Sequence, residues 1–374
     1  MRTRRRASLS VLQHGLLIIV ALVMAIGAPG FSLASAQTPV EACAPLAGGI
    51  PAPETATAPE IPPVQVPENA IPVTMGYVPI SIYAPVFVAF EKGYFAERRL
   101  DVTLESLAGG SDMVLLTATG DFDLGIGGIG PAYWNAASQD LGVRIIAPGH
   151  AEGSPVATPL MISRTTCESG AIASVADLRG KRVAVNAPGA TELWLDTALQ
   201  TGGLTIGDVD LQFLSFPDAV VALESGAIDA AMVGEPLATK AEGDGFAVRL
   251  LADFPVQNIQ PTMIFGNGQW LNDNPEAAAG FIAAYLRAAR DLTENFNDPV
   301  NLAIIEKYTQ VPPALIAGSV KPVYSTDGAI DVAGIALLQT FFRNRGQLDY
   351  DDNLDPASLV DTQYVDRANQ LLND

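Results

Sequence analysis

From position 71 onward, short apolar runs rich in β-branched residues alternate with stretches of helical spacing. IPVTMGYV at 71–78 predicts a first strand, PVFVAFEKG at 85–93 a helix stopped by Gly93, and DVTLESL at 101–107 a second strand. VRIIAPG from 143, KRVAVN from 181, DLQFLSF from 210 and FAVRLLADF from 246 continue the series. From Pro275 the pattern is mainly helical, and EAAAGFIAAYLRAARDLTENF is its clearest amphipathic stretch. Strands separated by helices predict an α/β protein with largely parallel sheets.

The middle of the chain repeats itself. LAGGSDMVLLTATGDFDLGIGG at 107–128 and LSFPDAVVALESGAIDAAMVG at 214–234 share one plan of strand end, turn, short helix, Gly-x-φ-Asp and an apolar strand closed by glycine. Gly120, Asp123 and Gly128 match Gly226, Asp229 and Gly234 at identical spacing, which predicts two lobes of similar build. In open α/β sheets a ligand lies beyond the carboxyl ends of the strands, where loops meet helix N-termini. Asp123 and Asp229 start their strands on the far side, so turn chemistry accounts for them.

The first 36 residues are read as an export signal: a basic MRTRRRASLS, an apolar GLLIIVALVMAI too short to span a bilayer comfortably, and a cleavage site at Ala34–Ala36. The general secretory route is expected, although Arg4, Arg5 and Arg6 are compatible with twin-arginine export. Residues 37–70 hold eight prolines and are expected to stay extended and disordered as a spacer. The mature chain is expected outside the cytoplasm, with residues 71–374 enough for two domains.

Charge then narrows the partners. Without the four signal arginines, 17 basic residues stand against 41 acidic ones, a net of −24. Such a balance repels phosphate backbones and anionic lipid, so no nucleic acid partner is expected. Cys43 and Cys167 are the only cysteines and His150 the only histidine outside the signal, which argues against a metal site. Two readings of Cys43 stay open: a disulfide to Cys167, or a lipid anchor through VEAC.

VNAPGATELWLDTALQ at 185–200 places a Pro-Gly corner before a helix whose first N–H groups have no partner within the helix. Either Thr191 caps its own helix, or Asn186, Gly189, Ala190 and Thr191 hold those donors open for a ligand. Facing them, Gly110, Ser111, Gly128 and Ile129 lie on the matching loops of the first repeat. Tyr77, Tyr83, Tyr133, Trp134, Trp194 and Phe216 lie on or beside the same loops, as stacking partners for a flat ring. Glu235, held extended by Pro236, is either a ligand acceptor or a helix cap. His150 reads as an exposed loop residue.

GYVPISIYAPVFVAFEKGYFAERRLDVTLE, GGSDMVLLTATGDFDLGIGG, DLRGKRVAVNAPGATELWLDTAL and ALESGAIDAAMVGEPLA, in that order, resemble the NMT1/THI5-like solute-binding proteins. That group serves ABC importers for nitrate, alkanesulfonates, taurine, thiamine-pyrimidine precursors and riboflavin. The resemblance implies a type II periplasmic-binding fold with lobe 1 at 71–161 plus 263–374 and lobe 2 at 162–262. The two crossings would fall near PLMISR and QPTMIFG. It also implies an ABC permease as partner, no cofactor and no catalytic residue, with the loops named above against the solute. The aromatic residues point to riboflavin or a thiamine-pyrimidine precursor, with alkanesulfonate, taurine or nitrate as the alternative. Pyrimidine synthases of thiamine biosynthesis belong to the same family, but they use a cysteine-rich, iron-associated segment that this chain lacks. A LysR-type effector domain shares the fold, but no DNA-binding helix-turn-helix precedes this one.

Overall fold

The structure, a computed structural model, describes residues 59–373 apart from 108 and 257, with the backbone alone at 111. Residues 1–58, which hold the expected export signal, most of the expected spacer and Cys43, lie outside the described residues. Cys167 is engaged in a disulfide.

Two five-stranded sheets carry the chain. The first contains β1 (Ile71–Tyr77), β2 (Leu100–Ser106), β3 (Leu124–Gly128) and β4 (Val143–Pro148). The second contains β5 (Leu160–Ser163), β6 (Arg182–Val185), β7 (Asp210–Phe213), β8 (Ala230–Met232) and β9 (Ala247–Leu251). The chain then returns to the first sheet as β10 (Thr262–Asn267). The orders are β2-β1-β3-β10-β4 and β7-β6-β8-β5-β9, so the two sheets match position by position. In each, four strands run in one direction and the strand in the fourth position is antiparallel to both its neighbours. That antiparallel strand is the one delivered after the chain has left the other sheet. Residues 149–159 and 252–261 are the two connections, and this is the type II periplasmic-binding architecture expected from the sequence.

The repeat has a local cause. Gly120 (φ 82°) and Gly226 (φ 70°) end their helices in the left-handed conformation that glycine adopts without strain. Three residues later Asp123 Oδ2 accepts from the Thr74 amide at 2.8 Å, and Asp229 Oδ2 from the Arg182 amide at 2.9 Å. Each aspartate thus ties the start of its strand to the neighbouring parallel strand, at the end away from the cleft.

One large apolar core runs through the first sheet and into the second, and a smaller cluster of Met161, Leu223, Ile228 and Val233 packs on the second sheet. The long Pro275–Asn295 helix packs against the Ala84–Glu91 and Gln363–Asn373 helices. The proline-rich stretch is not a free tether over its last part. Ile61 packs on the core, and Val64 sits over Gly93. No helix among the described residues is long and apolar enough to cross a membrane.

Candidate functional site

The carboxyl ends of β3 and β6 bring the glycine loops of the two lobes into contact. A Cβ added at Gly109 would meet the Ala187 Cβ at 2.7 Å, and one added at Gly130 would meet the Pro188 carbonyl oxygen at 2.8 Å. The loops at 109 and 189 therefore face one another across a closed cleft. The space left between them is a cavity of about 50 Å³. That holds a few waters, since one water needs roughly 10–15 Å³ on this measure.

Lobe 1 contributes Ile82, Tyr83, Gly110 and Gly128 to the wall, and lobe 2 contributes Asn186 to Thr191, Trp194 and Phe216. The corner at 189 is built to keep its donors free. Gly189 caps the Ala190–Gln200 helix, and the Glu192 carboxylate reaches back to the Gly189 amide at 3.2 Å. Thr191 does not cap its own helix, because its hydroxyl donates to Asn186 Oδ1 at 2.6 Å. Among the described residues nothing accepts from the amides of Ala190 and Thr191. Behind the corner, buried Glu192 is braced by Arg345 Nη2 at 2.9 Å and by Gln347 Nε2 at 3.2 Å. Burial still holds its carboxyl above the ordinary value, despite Arg345.

The floor of the cavity comes from the two inter-lobe connections, through His150, Glu152, Thr158 and Pro261, and from Thr262 at the start of β10. His150 is 2% exposed and not the exposed loop residue expected. The reason is Thr262, whose Oγ1 accepts from the His150 amide at 3.0 Å and lies 2.7 Å from its Nδ1. Glu152 is 1% exposed, and its Oε1 and Oε2 accept from Trp194 Nε1 at 2.9 Å and the Ala157 amide at 2.6 Å. Burial pushes the Glu152 carboxyl up, but the His150 ring and those N–H groups outweigh burial and hold it below the ordinary value. No lysine or arginine lines the cavity, so its charge comes from this carboxylate and the imidazole.

Several expected site residues lie elsewhere. Tyr77 packs edge-on against Phe87 and Tyr308 inside lobe 1, where the apolar cluster draws its ring away from the cleft. Trp134 is a fully buried core residue beside Tyr133. The Ile129 side chain is buried as well, and its amide donates to the Pro261 carbonyl at 3.2 Å. Of Ser111 only the backbone is described. Glu235 is turned away from the cavity by Arg249, whose Nη2 lies 2.7 Å from Oε1, while Oε2 accepts from the Thr239 amide at 3.0 Å. Its carbonyl accepts from the Ser81 amide and hydroxyl of lobe 1, so Glu235 serves as a helix cap and an inter-lobe contact.

Sequence reasoning missed Glu152, Thr158 and Thr262 altogether. One signal was there: His150, one of two histidines in the chain, stands two residues before a glutamate, a spacing that puts both on one side of an extended segment. Among the described residues no group of three or more His, Cys, Asp or Glu is placed to hold a metal ion.

Comparison with known proteins follows the same architecture. The riboflavin-binding protein RibY of Chloroflexus aurantiacus is 28% identical over 79% of this chain and 78% of that protein. The nitrate/nitrite binding protein NrtA of Nostoc is 23% identical over 64% of this chain and 58% of its own length. A formylaminopyrimidine-binding protein of Halalkalibacterium halodurans is 27% identical over 63% and 70%. Among solved structures, the alkanesulfonate-binding protein SsuA of Xanthomonas axonopodis, bound to MOPS, superposes with a TM-score of 0.65 at 18% identity, covering 80% of this chain and all of that one. These curated relatives are binding proteins, for ligands that differ from one to the next. The family model described as NMT1/THI5 like matches residues 81–298, more than half of the sequence, and the chain belongs to that family.

Proposed function

We propose that this protein is the extracytoplasmic solute-binding component of an ABC importer, which closes its lobes over a neutral or protonated nitrogen heterocycle and presents the closed form to its permease. The observation that carries the ligand class is the buried Glu152 carboxylate in a cavity that no lysine or arginine lines. With His150 neutral the Glu152–His150 pair carries −1, and with it protonated the pair carries no net charge. In neither state does it favour an anion.

The sulfonate or nitrate reading has the open amides of Ala190 and Thr191 in its support. A helix N-terminus adds about 0.3–1 kcal/mol for an anion, and about 2 in the best buried cases. A like charge about 5 Å away at an effective dielectric near 20 costs about 3 kcal/mol. With His150 neutral, the carboxylate outweighs the helix end. A heterocycle instead places its N–H or amino groups on Glu152 and a ring nitrogen or carbonyl on the helix amides.

The closed cavity is far below the roughly 300–1,000 Å³ of ordinary ligand pockets, so either ring must enter an opened cleft. A single pyrimidine ring demands less re-closure room than the three-ring isoalloxazine of riboflavin, which puts the aminopyrimidine first. Titration of the purified protein with 4-amino-2-methylpyrimidine, riboflavin, taurine and nitrate tests this, read by the fluorescence of Trp194 in the cavity wall. Saturation by a heterocycle is expected. Saturation by taurine or nitrate alone overturns the ligand class.

A further inference from the structure

His150 Nε2 is a buried polar atom with no hydrogen-bond partner, and it belongs to the cavity floor. Which of its two nitrogens carries the proton follows from the hydrogen inventory around Thr262. That hydroxyl has one proton and two lone pairs. One lone pair is taken by the His150 amide, and the oxygen also lies 2.7 Å from His150 Nδ1. If Nδ1 carried the ring proton, Thr262 Oγ1 would accept twice. Its own proton would then be left without a protein acceptor, a cost of about 1–3 kcal/mol that either tautomer bears once, since Nε2–H has none in the other. The bare Nε2 lone pair would also face Glu152 Oε1, 3.8 Å away. With Thr262 donating to Nδ1 and Nε2 carrying the proton, every group is satisfied except Nε2–H itself. At 3.8 Å from Glu152 Oε1 that N–H is too far for a normal hydrogen bond and is left for a ligand.

We infer that Thr262 holds His150 as the Nε2–H tautomer, so that His150 Nε2–H and Glu152 Oε1 form an adjacent donor and acceptor that read a ligand edge carrying an acceptor beside a donor. The inference rests on the heterocycle reading of this same cavity and makes it more specific. Two edges have this pattern: the amidine edge of an aminopyrimidine, ring nitrogen beside amino group, and the lactam edge of a uracil or isoalloxazine, carbonyl beside ring N–H. In both, the acceptor goes to His150 and the donor to Glu152, whose Oε1 already takes the Trp194 N–H and keeps a lone pair free. Thr262 is a positioning residue here. It lines the floor as well, and its effect on the edge is exerted through the imidazole.

Two measurements test this on the full, untagged chain. The first is ¹⁵N NMR of histidine-labelled protein, in which His14→Gln isolates the signals of His150. A protonated Nε2 and a bare Nδ1 are expected. Thr262→Val should mix the tautomers, and Thr262→Ser, which keeps the hydroxyl, should restore the wild-type signature. A proton on Nδ1 in the wild type overturns the inference whether or not any ligand binds.

The second compares 4-amino-2-methylpyrimidine with its N,N-dimethylamino analogue, and uracil with 1,3-dimethyluracil, which has no ring N–H. The unmethylated member of a binding pair should bind at least ten-fold more tightly, and Thr262→Val should lower that affinity about ten-fold while Thr262→Ser recovers it. Equal affinity within each binding pair sinks the edge reading and leaves the heterocycle reading standing. Binding of taurine or nitrate alone sinks both.

Discussion

Gly130→Ala isolates the closure of the lobes from their folding. Gly130 has φ −98°, so alanine meets no backbone penalty there. Its added methyl would lie 2.8 Å from the Pro188 carbonyl oxygen and 2.9 Å from Gly189 Cα, both backbone atoms of the opposite lobe that no rotamer change can move. Ordinary contact starts near 3.4 Å, so the loops must separate by about 0.5 Å. Forcing an extra methyl into a packed interface costs about 1–3 kcal/mol. With the lobes opening about the two connections as proposed, the cost falls on the closed state while each lobe keeps its own packing. At 1.4 kcal/mol per decade the expected loss of ligand affinity is about 5- to 150-fold. The control is Gly207→Ala, whose methyl would meet only Thr205 Oγ1 at 3.6 Å within lobe 2. Calorimetric titration with whichever heterocycle saturates the wild type, beside small-angle scattering of the unliganded protein, reads the effect. Gly130→Ala should unfold at the wild-type temperature, show a larger radius of gyration and bind more weakly. A folded variant with wild-type radius and affinity within two-fold would show that these loops do not meet in the ligand-holding state.

Glu152→Gln should cost about 1–3 kcal/mol at pH 7, because the buried N–H groups of Trp194 and Ala157 lose a charged acceptor. The Glu152 carboxyl is held below 4.5 in the folded state, so its contribution is present above pH 4.5 and is lost as pH falls through the lower folded value. Thermal melts of the two proteins should therefore converge in acid, and a gap unchanged from pH 7 to pH 3 would contradict the assignment. Arg345→Gln should cost about 2 kcal/mol at pH 7, less than a fully buried pair because Arg345 keeps a quarter of its side chain in solvent. Glu192 is already raised by burial, so its contribution is present at low pH and lost as pH rises through the folded value. Urea midpoints should separate further with rising pH. Equal midpoints at pH 8 would mean that Arg345 does not hold the corner.

The architecture was legible because its causes are local. Gly120 and Gly226 end helices by adopting a left-handed conformation, and Asp123 and Asp229 each need only the neighbouring strand's amide, so their spacing shows in the chain itself. The corner at 186–191 was legible for the same reason: a Pro-Gly turn into a helix leaves its first amides open whatever surrounds it. Side-chain direction was not. Glu235 looked like a cleft carboxylate until Arg249, fourteen residues on, claimed it. Tyr77 and Trp134 looked like ring-stacking partners, but both sink into the lobe 1 core, as aromatic side chains next to a strand commonly do.

Composition and period alone determined two α/β units, their glycine-tipped loops and an acidic surface, since each depends on residues close in sequence. The site's chemistry was decided only when residues 149–159 and 252–261 crossed between the sheets. The crossing sets His150 against Thr262, 112 residues later, and Glu152 against Trp194, 42 residues later, and buries all four. A histidine and a glutamate in a loop have no fixed role in water. Shut between two lobes, they become an oriented donor and acceptor, because burial leaves each of their polar atoms only the partners that the fold supplies.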